Sequence, residues 1–271
     1  MTQWIASVAV VALLAAAGQA SAQEPRAAAR AVVKKWQGAV VNVRVVLKTR
    51  MSMGGREMSS ADDSVDAVGT VVDPSGLTVM SLGTLNPGAM MNKIVGASMG
   101  GGGGSESRVE ISSEPSELKM RLPDGRELPA KIVLRDEDLD LAFIRPTTRP
   151  ATPLVSITLS ESATPALLDQ VIVLSRLGRV GGWAASAALA DISSVIERPR
   201  TFYVLGGTPL GMGTPAFDTA GRLIGLLTLR QVDPGRSSMF SMMGGSEAMG
   251  LLPVILPAAD VLEIARQATD K

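Results

Sequence analysis

Apolar residues in this chain fall into short runs separated by turn-forming residues. Ala39-Val40-Val41-Asn42-Val43-Arg44-Val45-Val46-Leu47 is β-branched and partly alternating, which predicts a strand. Val68 to Leu85 predicts a hairpin: two apolar stretches flank Asp73-Pro74-Ser75-Gly76, where Pro presets φ and Gly accepts positive φ. Leu118, Met120 and Leu122 alternate, Pro123-Asp124-Gly125 turns the chain, and Leu128 to Leu134 returns. A tight acidic turn, Asp136-Glu137-Asp138, leads into a third strand ending at Ile144. The second half repeats the style. Val171 to Leu174, Ala184 to Ile196 and Phe202 to Leu205 are strand-like, and Phe217 and Arg222 to Leu229 flank Asp218-Thr219-Ala220-Gly221. Each half thus carries an Asp-x-x-Gly turn between apolar strands, a faint internal duplication.

Other segments lack this pattern. Arg50 to Ser64 is rich in Met, Gly, Ser and charge and reads as an exposed loop. Pro87 to Pro115 contains five consecutive glycines, Gly100 to Gly104, and reads as a flexible insertion; residues 233–249, with Gly, Ser and four Met, read as a second. Ala27 to Trp36 is a short helix or an extended lead-in, and Pro257 to Thr269 carries a helical stripe of Ala258, Val261, Leu262 and Ala265. Many short strands with few helices argue for an all-β barrel or sandwich, and the two halves argue for two barrels. The expected divisions are a lead-in at 23–38, a first β unit at 39–147 with its Gly-rich insertion at 88–115, a second at 148–257, and a terminal helix at 258–271.

The N-terminus changes the picture of where the chain works. Ile5 to Ala17 is an apolar run of about 13 residues, short of the ~20 that cross a bilayer as a helix. Ala20-Ser21-Ala22 follows as a small-residue cleavage site, so residues 1–22 read as a signal peptide with Gln23 first in the mature chain. The expected location is periplasmic or extracellular, with no stable membrane span after cleavage. Cys is absent, which excludes disulfides and a lipid-modified N-terminus, and a bacterial envelope suits such an export signal. The charge is balanced, 26 basic against 26 acidic residues, so nothing suggests nucleic acid as a partner. Without His or Cys the usual ligands for zinc are missing; no metal and no cofactor is expected. The glycine run lacks the Lys-Ser/Thr ending of a phosphate-binding loop, and the acidic turn lacks calcium-ligand spacing, so both read as solvated segments.

The order of the motifs resembles the chymotrypsin-like, double-barrel serine proteases, most closely the bacterial Deg/HtrA branch. Pro123 to Val133 is similar to that branch's "DGREFPAKVV", and Asp136 through Asp140-Leu141-Ala142-Phe143-Ile144 to its "D-x-x-x-D-L-A-L-L". Val68 to Gly76 resembles "GSGFIIDPDG", Gly211 to Gly225 resembles "NSGGPLVNxxGxxIG", and Leu256-Pro257 before a helix resembles the family's ending. The resemblance runs from Val40 to Ala265. It implies an all-β fold of two chymotrypsin-like six-stranded β-barrels with a C-terminal helix. Deg-type proteases usually carry a PDZ domain next; here Lys271 follows the helix, so PDZ-based substrate delivery is not expected.

The family's chemistry uses Ser as nucleophile, His as its base and a buried Asp that fixes the His tautomer. Carried over, the Asp falls on Asp140. The His position reads Gly83, in Val79-Met80-Ser81-Leu82-Gly83-Thr84-Leu85, and the Ser position reads Met212, in Leu210-Gly211-Met212-Gly213-Thr214-Pro215. The glycine of the anion-binding loop becomes Leu210, which tolerates positive φ poorly. No other His exists in the chain to serve. Loss of base and nucleophile together removes a factor on the order of 10⁶ in such enzymes. The resemblance therefore implies a degenerate serine endopeptidase, a pseudoprotease that binds protein or peptide in the envelope. The peptide-facing candidates are Thr208, Leu210, Gly211, Met212, Gly213 and Thr214, with the strand Arg222 to Leu229 as an edge for strand addition. One alternative is an adaptor subunit of an envelope protease complex that docks through Ser237 to Met249. Another is a peptidase with unconventional residues, drawing a nucleophile from Ser81, Thr208 or Thr214 and a base from Lys93 or Lys131.

Overall fold

Twelve strands close into two antiparallel barrels. The computed structural model describes residues 25–89, 91–92, 109–207, 211–231 and 251–269. The segment 1–22 expected as a signal peptide, the glycine run Gly100 to Gly104, Thr208, Leu210 and the Met-rich stretch 233–249 lie outside the described residues.

The first barrel comprises β1 (Val40–Met53), β2 (Arg56–Val71), β3 (Thr78–Ser81), β4 (Val109–Arg121), β5 (Glu127–Asp136) and β6 (Leu141–Pro146), closed in the order β1-β2-β3-β6-β5-β4. The second comprises β7 (Gln170–Arg176), β8 (Ala185–Ile196), β9 (Phe202–Leu205), β10 (Pro215–Asp218), β11 (Leu223–Gln231) and β12 (Leu251–Pro257), closed as β10-β11-β12-β9-β8-β7. Counted from its own first strand, the second barrel has the cyclic order of the first. The duplication is therefore present in the topology.

The turns that suggested the duplication are not equivalent, however. Asp73-Pro74-Ser75-Gly76 joins the second and third strands of its barrel, whereas Asp218 to Gly221 joins the fourth and fifth. The true counterpart of the Asp218 turn is Asp124-Gly125-Arg126. In both, the carboxylate accepts from the backbone N–H and the Nε of the following arginine: at 3.0 and 2.7 Å from Arg126, and at 2.8 and 2.8 Å from Arg222. Gly125 and Gly221 take φ of 88° and 79°, values that a Cβ disfavours.

The apolar runs that concealed the period of two have a physical cause. A strand lying between the barrels buries both faces. On β7, Val171 and Val173 enter the second barrel's core, while Ile172 and Leu174 enter a shared core between the barrels. On β3, Val79 faces the shared core and Met80 the first barrel. Phe143 and Phe217, both fully buried, anchor the shared core, where truncation of either would remove about 3–5 kcal/mol. Two helices cover it. Residues 25–36 form the first, with Val32 buried and the Trp36 ring stacked 6.2 Å from Phe217. The second, Ala258–Thr269, buries Ala258, Val261, Ala265 and Ala268.

Two readings of the sequence need correction. Arg50 to Ser64 is not a loop: β1 and β2 run through it as a ladder to Met53–Arg56, reversing at Gly54 and Gly55, both with positive φ. The insertion also ends earlier than Pro115, because Val109 to Pro115 belongs to β4 and pairs with Met53 to Leu47. These strands project beyond the barrel, with residues 56–64 of β2 exposed. Lacking a buried face, they carry no apolar alternation to reveal them.

Candidate functional site

Asp140 sits just before β6 with φ of 56°, a left-handed backbone that Asp tolerates better than most residues. The turn before it is held by the Leu139 N–H donating to the Asp136 carboxylate at 2.9 Å. The Asp140 carboxylate accepts from the Ser81 hydroxyl at 2.6 Å and the Gly83 N–H at 2.7 Å, and from the Leu229 N–H of β11 at 3.1 Å. Its own carbonyl accepts from Leu82 N–H at 3.0 Å. Ser81 ends β3, and Leu82–Thr84 is a single 3-10 turn that aims the Gly83 N–H back at the carboxylate. One side chain thus joins the β3 end and the β5–β6 turn of the first barrel to β11 of the second. The Arg230 guanidinium reinforces this joint by donating to the Asp138 carbonyl.

The segment Gly211 to Thr214 approaches the same point from the second barrel. The Gly213 N–H donates to Leu227 O at 2.7 Å, and Thr214 O accepts from Leu227 N–H at 2.9 Å. Thr70 of β2 donates its hydroxyl to Gly213 O at 2.8 Å. A Cβ on Gly213 would lie 2.7 Å from Val68 O, 3.0 Å from Met80 Cα and 3.1 Å from Ser81 N, at φ of 79°. Only glycine fits there. Met212, beside it, is half-buried. The positions expected to correspond to a base, an acid and a nucleophile therefore converge around Ser81. Gly83 and Asp140 are bonded to each other, and Gly213 presses on the Ser81 backbone.

A cleft of about 1000 Å³ opens beside Gly83 and Asp140. Leu82, Asn86, Ala89, Leu229 and Ile264 line it with Glu114, Asp136, Glu137 and Asp138 against Arg135, Arg200 and Arg230. Its walls are mixed in charge and half polar. Such a surface suits an extended polar chain better than an apolar small molecule, whose pockets are mostly hydrophobic. None of Gly211 to Thr214 lines this cleft.

A family model for the trypsin-like peptidase domain matches residues 94–226, close to half of the chain. Together with this match, two closed six-stranded barrels and a C-terminal helix fit a trypsin/chymotrypsin-like fold. The chain carries a trypsin-like peptidase domain. No curated protein matches it. Among the described residues of the trypsin-like domain, no helix is long and apolar enough to cross a membrane, and no group of three Asp or Glu residues is placed to hold a metal ion.

The alternative nucleophiles among the described residues are poorly placed. Thr214 is fully buried and its hydroxyl donates to Gly211 O at 2.8 Å. Ser81 is 1% exposed and committed to Asp140. Lys131 is exposed on β5, opposite Arg145 of β6, and Lys93 and Thr208 lie outside the described residues. The strand-addition edge also needs correction. Along Arg222 to Leu229, β11 pairs with β12 on one side, and on the other with β10, Thr214 and Gly213, with Leu229 N–H taken by Asp140. A peptide cannot add to an edge already paired. Sequence reasoning missed Ser81 and Leu229 as partners of Asp140, since Leu229 lies 89 residues away and nothing local marks it.

Proposed function

We propose that this trypsin-like domain is a non-catalytic pseudoprotease of the cell envelope that holds an unfolded protein or peptide in the cleft beside Gly83. The observation that carries this reading is the double role of the Asp140 surroundings. The carboxylate that would orient an imidazole is bonded to main chain from both barrels, while the space next to Gly83 stands open as a cleft. The absence of His from the chain supports the same reading, because no side chain can serve as the conventional base. Met212 at the expected nucleophile position carries a thioether with no proton to give up and no attacking oxygen. The cleft's mixed charges supply partners for a peptide backbone and its polar side chains. Export, expected from residues 1–22, would bring the domain to unfolded clients in the envelope.

Fluorescence anisotropy with labelled, reduced and carboxymethylated casein tests this on the chain from Gln23 to Lys271. The reading requires saturable binding that weakens in Ala89→Trp, which fills one wall of the cleft. Absence of binding, or binding indifferent to Ala89→Trp, would sink it.

A further inference from the structure

The hairpin tip that projects from the first barrel gathers methionines. Met80 and Met120 are fully buried in the core, and Met212 is half-buried. The exposed methionines among the described residues are Met51, Met53, Met58 and Met91, at 39%, 42%, 62% and 47%. All four belong to one end of the molecule. Met51 and Met53 share a face of β1, two residues and about 6.6 Å apart. The β1–β2 register breaks between Met51 and Ser52: Met51 pairs with Ser59 and Ser52 with Glu57, so Met58 is the extra residue of the bulge. Met58 therefore adjoins Ser59, which lies directly across from Met51 at about 4.5–5.5 Å between Cα atoms. Met91 borders the same end, because its neighbour Asn92 brackets Ile111 through both backbone groups, at 2.7 and 2.9 Å, and Ile111 is the β4 partner of Met51.

Hydrophobic burial does not account for this placement, since these side chains remain substantially in water. Their shared chemistry is the thioether, a neutral and soft donor on a chain with three rotatable bonds. Soft thioethers favour Cu(I) among biological metals and bind Zn²⁺, Ca²⁺ and Mg²⁺ poorly. No thiol or imidazole exists in the sequence to compete for such an ion. We propose that Met51, Met53 and Met58 form a surface site for a soft monovalent cation, Cu(I) or its redox-inert mimic Ag(I), at the tip of the β1–β2 hairpin. The bulge supplies the third sulfur beside the two on β1, and the two glycines at the reversal let the tip adjust to a trigonal donor set. The site is separate from the cleft at Asp140 and does not depend on the function proposed there.

The test is calorimetric titration of the full chain with silver nitrate in chloride-free buffer, with NMR of ¹³C-methyl methionine to locate the ion. The account requires a saturable event in which the methyl resonances of Met51, Met53 and Met58 move together. It also requires loss of that event in the triple variant Met51→Leu, Met53→Leu, Met58→Leu. Leucine conserves volume at these exposed positions, so the fold is retained, and circular dichroism checks it. Equal titration curves for wild type and triple variant overturn the proposal. So do unmoved methyl resonances at saturation, or binding that needs millimolar silver.

Discussion

Replacing Asp140 by Asn tests whether this residue works as a structural joint. Among its partners, the carboxylate accepts from Ser81 Oγ, Gly83 N–H and Leu229 N–H. Asn tolerates the left-handed backbone at φ of 56°, so the substitution adds little strain. It keeps one acceptor oxygen but turns an NH₂ group toward donors. At least one of the three donors is left facing another donor. An unsatisfied buried partner costs about 1–3 kcal/mol, and loss of the charge weakens the bond that survives. Asp140 lines the cleft, where water reaches part of the site, so the lower half of the sum applies: about 2–3 kcal/mol. Urea unfolding followed by tryptophan fluorescence and far-UV circular dichroism reads this from the shift in midpoint at constant slope. The bond to Leu229, which joins the two barrels, is lost in one amide orientation and weakened in the other. A shift below about 0.5 kcal/mol, within the range of ordinary surface substitutions, would refute the idea that Asp140 holds the barrels together.

Gly213→Ala places a Cβ 2.7 Å from Val68 O at φ of 79°, so it should lower stability by about 2–4 kcal/mol; unchanged urea midpoints would contradict the close approach. Arg176 of β7 donates to the carbonyls of Gln37, Val40 and Trp183, and burial holds its guanidinium below the ordinary value. Arg176→Met should destabilise by about 2–3 kcal/mol in the same assay. Tyr203 is the sole tyrosine, so absorbance at 295 nm reports it alone. Burial pushes its phenol above the ordinary 10.0, against a hydrogen bond with Thr164 that lowers it and with the Asp260 charge that raises it further. The folded state thus keeps the proton longer than the unfolded chain. The contribution to stability is full below the unfolded value and is lost as pH rises through the folded one. A native midpoint at or below 10 would contradict the burial of this ring.

Much of the fold was legible where turn chemistry and apolar runs coincided. Asp73 to Gly76 turns the chain as its residues demand, with Ser75 N–H donating to the Asp73 carboxylate at 2.7 Å. Phe202 to Leu205 forms a strand with the bounds its apolar residues suggest. The β1–β2 extension escaped notice because it is held by ladder hydrogen bonds without a core face. Both strands there read as Met, Ser and charge. At the site, Asp140 was legible from the Leu139-Asp140-Leu141-Ala142 string, yet its partners were not. Ser81 and Leu229 arrive from β3 and β11, and only closure of both barrels brings them together. Gly213 carried a signal that was legible as a motif glycine, but its reason, a backbone approach to Val68, Met80 and Ser81, is tertiary.

Mass spectrometry of unfolded casein after long incubation with the purified chain tests the central claim most directly. The account predicts intact casein in the presence of the wild-type chain, as in buffer alone. Cleavage that requires the chain and disappears with Asp140→Asn would contradict it, because it would return Asp140 to a catalytic role in a working peptidase.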